Sequence, residues 1–198
     1  MLVYRSLLDK VQLLQKVKVF SSWTHSSLTH LSYTLTKVEY SMNDRIVMFG
    51  QALRDNFILV EGEVALTTKI KLDQTNMLDS VSYTEVKLAS LFGGSILGDI
   101  ELTAEKSKTY MVTAKVMSSS CTVLRISKED FQHLILNAPD SNVGRLITEG
   151  AAATYEFRKQ RLLEAQKVKK LEKKEKVDKQ NSEASTVMRL RNKVKRAR

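Results

Sequence analysis

The residues of this chain that are best suited to binding chemistry lie close together near the middle of the sequence. The segment Leu97-Gly98-Asp99-Ile100-Glu101-Leu102 places an acid directly after a turn-forming glycine, and Lys108 follows Asp99 by nine residues. A carboxylate accepts hydrogen bonds and an ammonium group donates them, so this pair can hold a polar or anionic ligand.

Other parts of the sequence do not supply a catalytic constellation. His25, His30 and His133 fall on predicted helices at distant positions, whereas a metal enzyme needs clustered ligands. Gly93-Gly94 lacks the Lys-Ser/Thr ending of a phosphate-binding loop, and Ser95 has no His and acid pair nearby to activate it. We therefore predict a non-enzymatic protein with no metal site and no cofactor.

Length and composition predict one domain with an appendage. The chain has 198 residues, of which 42% are hydrophobic, and this suffices for one sizeable core. The apolar run at 57–60 is soon interrupted by charge, so no membrane span is predicted. The first residues lack the pattern of a signal peptide, so the expected location is the cytoplasm, with the nucleus as the alternative. The single cysteine, Cys121, is predicted to be a core residue.

Hydrophobic periodicity predicts a β-rich fold between helices. Helical spacing predicts a helix over 5–18 and a shorter one that ends near Leu35, with hydroxyl residues at 21–24 as N-caps. Short strands separated by turns imply an antiparallel β-roll or jelly roll. The predicted strands are 38–40, 46–48, 57–60, 64–68, 83–88, 110–116 and 121–126. The polar run at 72–80 is too long for a tight hairpin and predicts a surface loop.

The predicted fold class is mainly β with flanking helices (α+β), divided into four segments. These are an N-terminal helical segment at 1–36, a β-roll at 37–140, a long basic helix at 141–180 and a disordered basic tail at 181–198. Pro139, the only proline, is expected to end the short helix that follows the last strand.

Positive charge is concentrated near the C-terminus. Residues 158–198 contain 16 Lys and Arg against 5 Asp and Glu, whereas the preceding 157 residues carry a net charge of −1. A basic tail attracts polyanions without reading their sequence. Aromatic residues are absent after Phe157, so base stacking is not expected. The predicted partner of residues 158–198 is an acidic protein or another polyanion surface, with no specific DNA readout.

A series of landmarks, in order, resembles the cyclic nucleotide-binding domain family over about residues 5–137. This resemblance implies the same β-roll that kinase regulatory subunits, cyclic nucleotide-gated channels and bacterial catabolite activators share, in which function depends on the attached parts. The landmarks are Val19-Phe20-Ser21-Ser22, the strands that lead to Gly50, Leu59-Val60-Glu61-Gly62-Glu63-Val64, the Gly94 turn, Gly98-Asp99-Ile100, Val112-Thr113-Ala114, and Leu124-Arg125-Ile126 with Phe131 after it.

The resemblance implies that the ligand site surrounds the start of a short helix. In the family, backbone N–H groups at this position bind the cyclic phosphate, because a helix N-terminus leaves donors unpaired. Leu97, Gly98, Asp99 and Ile100 would form this part of the site. Asp99 takes the position of the glutamate that accepts a hydrogen bond from the ribose 2′-hydroxyl, and it is one methylene shorter.

The resemblance also places three residues on the opposite wall. Lys108 takes the position of the arginine that binds the phosphate, and it keeps the charge but loses the two-pronged guanidinium. Thr109 stands where some relatives have a threonine that contacts guanine. Tyr110 stands where alanine is usual, so its ring would either fill part of the pocket or stack against a base.

These departures leave two readings of the site open. A hydrogen bond to a charged group contributes roughly 1.5–3 kcal/mol, so two weakened anchors would lower affinity about a hundredfold to a thousandfold. The site either retains weak or retuned binding or no longer binds. In the second reading Asp99 is a helix-terminal acid and Lys108 is an exposed cation.

Two functions are therefore predicted. In the first, the chain is a regulatory module that senses cyclic AMP or cyclic GMP through the backbone phosphate site, and the helix after Ser141 closes as a lid. In the alternative, the β-roll is a degenerate, non-binding scaffold, and the basic tail at 158–198 docks on an acidic protein or polyanion.

Overall fold

The computed structural model describes residues 2–71, 83–104, 106–138 and 142–196. In these ranges the chain forms a two-sheet β-roll with helices before and after it. The helices are α1 (Leu2–Gln15), α2 (His25–Thr34), α3 (Asp99–Thr103), α4 (Lys128–Phe131) and α5 (Val143–Arg196). The strands are β1 (Thr36–Ser41), β2 (Arg45–Val47), β3 (Asp55–Glu61), β4 (Glu63–Lys71), β5 (Tyr83–Phe92), β6 (Ile96–Leu97), β7 (Thr113–Val116) and β8 (Ser120–Ser127). A 3₁₀ turn at Lys18–Phe20 follows α1, and a π-helical turn at Gln132–Leu136 continues α4.

The strands form two antiparallel sheets. One has the order β1-β8-β3-β6, and the other has the order β2-β7-β4-β5. In β7, Ala114 and Val116 are buried, whereas Thr113 and Lys115 are half-buried. This alternation is typical of a strand with one face on the core. The predicted antiparallel β-roll with flanking helices is therefore confirmed.

The predicted strands correspond to β1–β5, β7 and β8, with bounds that differ by a few residues. Only β6 is unpredicted, because two residues are too few to show a period of two. The predicted surface loop at 72–80 and the predicted helix end at Pro139 lie outside the described residues. The predicted segment boundaries at 36/37 and 140/141 stay predictions.

The first two helices pack on each other ahead of β1. The hydroxyl of Thr24 accepts a hydrogen bond from the backbone N–H of Ser27 at 3.1 Å, and this is the N-cap expected from the hydroxyl-rich segment before α2. At the other end of α2, Nζ of Lys10 donates to the backbone oxygen of Leu35 at 2.6 Å. A cation at this position also interacts favourably with the helix dipole.

The start of α5 is packed tightly against the π-helical turn. A Cβ on Gly144 would lie 2.2 Å from the backbone oxygen of Leu136, so only glycine fits there. Val143, Ile147 and Ala151 are then buried along one face. This face packs α5 against α3 and β5, and the position of α5 over α3 defines the site described next.

α5 is longer than the sequence predicts. The expected helix ends at 180, with disorder from 181 to 198, but the structure continues the helix to Arg196. Residues 181–196 contain no glycine or proline and include Ala, Glu, Met, Leu, Lys and Arg, which have high helix propensity. Across the described ranges, no helix has both the length and the apolar character that crossing a bilayer requires.

Candidate functional site

The predicted ligand segment forms a left-handed turn between β6 and α3. Leu97 is paired with Phe57 of β3 and is buried in the core. Gly98 has a φ of +98°, a conformation that favours glycine. A Cβ on Gly98 would also lie 2.7 Å from Nδ2 of Asn56, which is fully buried. Both the conformation and the available space therefore require glycine at this turn.

Asp99 is the first residue of α3, and its carboxyl group is placed at the N-terminus of its own helix. Burial raises the pKa of this carboxyl group to about 6. The guanidinium of Arg158 and the backbone N–H groups of Ile100 and Asp99 favour the charged form and offset only part of that rise. Donors at this helix start therefore already interact with an acid of the chain itself.

A second carboxyl group, that of Glu101, is buried in the same helix. Its side chain is 1% exposed, and Oε1 accepts a hydrogen bond from the backbone N–H of Met111 at 3.1 Å. A buried carboxylate needs a compensating charge or hydrogen bonds. With Asp99, α3 thus presents two acids, and an incoming phosphate would be repelled by them unless a cation intervenes.

Lys108 and Thr109 lie on an exposed loop beside the segment that follows β2. The backbone oxygen of Lys108 accepts a hydrogen bond from the N–H of Leu53 at 2.9 Å, and Thr109 forms an isolated β-bridge with Ala52. Both Lys108 and Thr109 are exposed. Their side chains are not brought to either of the two cavities that flank α3.

Tyr110 is a core residue in the structure. Its side chain is 2% exposed, and its hydroxyl donates to the backbone oxygen of Asp55 at 2.5 Å. Burial raises the pKa of the phenol above its ordinary value. The ring belongs to the main hydrophobic cluster and lines neither cavity, so it is not positioned to stack on a base there.

Two cavities flank α3 beside α5. The first, which we name the turn cavity, has a volume of about 250 Å³. It is lined by Val19, Leu91, Gly94, Ser95, Ile96, Asp99, Ile147, Gly150, Ala151, Thr154 and Arg158. The second, which we name the roll cavity, has a volume of about 230 Å³. It is lined by Phe49, Thr68, Lys69, Leu88, Ile100, Glu101, Met111, Val112, Tyr155, Arg158, Lys159 and Leu162.

Arg158 of α5 is the buried cation of this region. Its side chain is 7% exposed and lines both cavities. Burial lowers the pKa of the guanidinium, and the charges of Asp99 and Glu101 oppose that fall. The sequence assigns Arg158 to the exposed basic tail. The structure corrects this, because α5 packs on α3 and carries Arg158 toward the two acids.

Neither Arg158 nor Glu101 is among the predicted site residues, but the sequence contains a signal for Arg158. The residues of α5 that face the domain are Ile147, Ala151, Thr154, Arg158 and Leu162. Their spacing of three and four residues is that of one helix face. A charged residue in phase with an apolar stripe is a candidate for a buried, functional charge. Which acids it meets cannot be read from that spacing.

Two kinds of reactive group are relevant among the described residues, a nucleophilic thiol and a metal-binding cluster. Cys121 is buried in β8, and burial raises the pKa of its thiol, so the nucleophilic thiolate is disfavoured. Within the described part of the chain, no three His, Cys, Asp or Glu side chains gather closely enough to hold a metal ion. A larger cavity of about 680 Å³ beside Trp23 and His30 is bordered by Ala138 and Asn142, next to residues outside the described ranges.

Comparison with known proteins places this geometry in a family. The family model described as a cyclic nucleotide-binding domain matches residues 37–138, which is just over half of the chain. These residues include β1–β8 and α3, and they end before α5. A search of curated proteins found no match.

Solved structures of kinase regulatory proteins are similar in fold. The regulatory domain of Toxoplasma gondii PKA with cAMP matches with a TM-score of 0.60 and 15% identity, covering 76% of this chain and 51% of that one. The regulatory subunit of a cAMP-independent protein kinase A from Trypanosoma brucei matches with a TM-score of 0.62 and 14% identity. The match covers 79% of this chain and 50% of that one. The Trypanosoma cruzi counterpart bound to guanosine matches with a TM-score of 0.61 and 16% identity. The match covers 82% of this chain and 52% of that one. The chain thus spans about half the length of these structures, and at this identity the likeness establishes the fold.

Proposed function

The chain belongs to the cyclic nucleotide-binding domain family, and on that premise we propose that it is a non-enzymatic regulatory module that senses cyclic AMP or cyclic GMP. The proposed binding region is the space on both sides of α3 that α5 covers. The family supports this choice of ligand. Among the solved structures of similar fold, one was solved with cAMP and another bound to guanosine. The parts to which the module is attached would set the output.

One observation carries the proposal: α5 supplies a buried guanidinium to α3. Arg158 is 7% exposed and lines both the turn cavity and the roll cavity. Lys69 and Lys159, both exposed, line the roll cavity as well, so its lining contains three cations and one acid, Glu101. A net positive, largely apolar cavity suits an anionic ligand with an aromatic body.

Sensing would use α5 as a lid. α5 forms part of the wall of both cavities, which are partly open to solvent, so a ligand bound there would contact α5 directly. A ligand that binds better when α5 is closed, with Arg158 at its anionic group, would shift the population toward that arrangement, and the helix would transmit the change. The size of the response equals the difference in affinity between the two arrangements.

The residues predicted from the family resemblance have different places in this proposal. Asp99 lines the turn cavity and is positioned to accept a hydrogen bond from a ligand hydroxyl. Ile100 lines the roll cavity as an apolar wall. Lys108 would reach a ligand only after a rearrangement of its loop, so we assign the main cationic contact to α5.

Calorimetric titration of the full chain with cyclic AMP and with cyclic GMP tests the proposal. For a ligand that binds at 1 mM, thermal denaturation in 10 mM ligand should show about 1.4 kcal/mol of stabilisation. In a chain of this size, that stabilisation raises the midpoint of thermal denaturation by roughly 3–6 °C. Neither heat nor stabilisation at 10 mM of either nucleotide would refute the sensor.

A second candidate function is favoured by the length of α5. Among the α5 side chains that the structure describes, Leu162 is the last hydrophobic one packed against the core, and the helix continues for 34 residues to Arg196. Residues 163–198 retain most of the basic charge of the chain. If this segment docks on a polyanion, deletion of residues 167–198 should lower the salt concentration needed for elution from immobilised heparin. Unchanged elution would exclude it.

A further inference from the structure

Arg158 belongs to the lining of both cavities beside α3. Its side chain lines the turn cavity on one side and the roll cavity on the other. Each cavity alone, at about 250 Å³ and about 230 Å³, is smaller than the roughly 300 Å³ at which small-molecule pockets begin. The two together exceed that volume. Arg158 is the one residue that the two linings share, so its side chain is in contact with both cavities.

The guanidinium is buried but incompletely bonded. Nε of Arg158 is inaccessible to solvent and has no hydrogen-bond partner in the described part of the chain. The carboxylates of Asp99 and Glu101 supply opposite charge, yet a guanidinium has five donors in a planar fork. An unpaired buried donor is unfavourable, and an anion with two oxygens in that plane would satisfy it.

The linings of the two cavities differ in chemistry. The roll cavity has apolar walls such as Leu88 and Met111, with the cations Lys69 and Lys159 beside them. The turn cavity instead carries the Asp99 carboxyl group and small polar residues. An anionic group on an apolar body fits the roll cavity, and hydroxyl groups fit the turn cavity, because a carboxylate accepts hydrogen bonds from them.

We infer that Arg158 is a gate residue that joins the turn cavity and the roll cavity into one site, and that it binds the anionic group of the ligand in place of Lys108. The inference rests on the proposed function and specifies how it operates. The phosphate of a cyclic nucleotide draws the guanidinium away from Asp99 and Glu101. Because Arg158 belongs to α5, this movement changes the packing of α5 on α3.

The same helix contains a matched control. Arg161 is three residues further along α5, is exposed, and lies over the ring of Phe157 with 5.8 Å between its Cζ and the ring centroid. It lines neither cavity. Arg161→Met therefore removes the same charge from the same helix without touching the gate. Arg158→Lys keeps the positive charge at the gate and removes the planar guanidinium that can bind two oxygens at once.

The test is calorimetric titration of four full-length proteins with cyclic AMP and cyclic GMP: the wild type, Arg158→Met, Arg158→Lys and Arg161→Met. We expect Arg158→Met to lose roughly tenfold to a hundredfold in affinity, Arg158→Lys to lose less, and Arg161→Met to bind like the wild type. Far-UV circular dichroism and a cooperative thermal transition establish that each variant is folded. A Lys108→Ala variant tests the alternative cation in parallel.

The outcomes separate the inference from the proposed function. If the wild type binds a nucleotide and Arg158→Met binds it equally well, the gate is refuted while the sensor stands. Loss of binding in Lys108→Ala, with binding retained in Arg158→Met, would likewise refute the gate and leave the sensor in place. If the wild type binds neither nucleotide, the sensor and the gate both fail.

If Arg158→Met is only partly stable, a measurement without ligand still tests whether Arg158 lies beside Asp99. Since the charge of Arg158 favours the charged form of Asp99, its replacement by methionine removes that effect at the carboxyl group. Carbon-detected NMR titration should show a higher Asp99 pKa in Arg158→Met than in the wild type, and no change in Arg161→Met. An unchanged pKa in Arg158→Met would overturn the placement of the gate.

Discussion

Replacement of Asp99 by asparagine should stabilise the fold at neutral pH and have little effect below pH 4. The pKa of Asp99 is raised to about 6 from its ordinary value of 3.8, chiefly by burial. The folded chain therefore holds this proton more tightly than the unfolded chain does. As a result, the free energy of unfolding falls as pH rises from about 4 to about 6, and it stays lower above that range.

The magnitude follows from the difference between the two pKa values. Each pKa unit corresponds to about 1.4 kcal/mol, so ionised Asp99 costs the fold about 3 kcal/mol at pH 7. Asparagine has nearly the same shape and carries no charge, so Asp99→Asn should recover this free energy. In a chain of 198 residues, that recovery raises the thermal midpoint by roughly 6–12 °C.

Urea denaturation followed by far-UV circular dichroism at pH 4, 5, 6 and 7.5 measures the effect. The advantage of Asp99→Asn over the wild type should increase across this series. Asp9→Asn serves as a control because Asp9 is exposed, and it should follow the wild type at every pH. A stability difference between Asp99→Asn and the wild type that does not change with pH would show that Asp99 is not a desolvated acid, and the electrostatic description of the site would fail.

Three further substitutions test the packing that positions the site. Gly144→Ala places a Cβ 2.2 Å from the backbone oxygen of Leu136 and should cost about 1–3 kcal/mol in urea denaturation, with faster amide exchange at the start of α5. Tyr110→Phe leaves the backbone oxygen of Asp55 without its hydroxyl donor and should lower the free energy of unfolding by about 1–2 kcal/mol, without changing nucleotide affinity measured by calorimetry. Thr24→Ala removes the N-cap of α2 and should lower the thermal midpoint by an amount that corresponds to about 1 kcal/mol.

Much of the fold could be predicted from the sequence because its signals are local. The segments 64–68 and 121–126, which the sequence predicts as strands, lie in β4 and β8. Gly98 was predicted at a sharp bend, and it has a positive φ there. β6 and the last part of α5 were not predicted. A strand of two residues shows no period of two, and a charged helix end resembles a disordered tail.

The candidate site was less predictable than the fold. Lys108 and Tyr110 were predicted on the ligand wall, and the structure places one on an exposed loop and the other in the core. Arg158 was predicted in an exposed tail, and the structure buries it between the two cavities. Side-chain direction at these positions depends on how α5 and the loop before β7 pack, and a short sequence window does not contain that information.

The sequence by itself determined which segments are strands and helices, where the chain turns, and to which family it belongs, because each of these depends on residue order and spacing along the chain. Only the tertiary structure decided which charges meet. Asp99 and Arg158 are 59 residues apart in sequence, and their interaction exists because α5 packs on α3. Burial and proximity set the strength of a charge interaction, and both arise from the packing of distant segments.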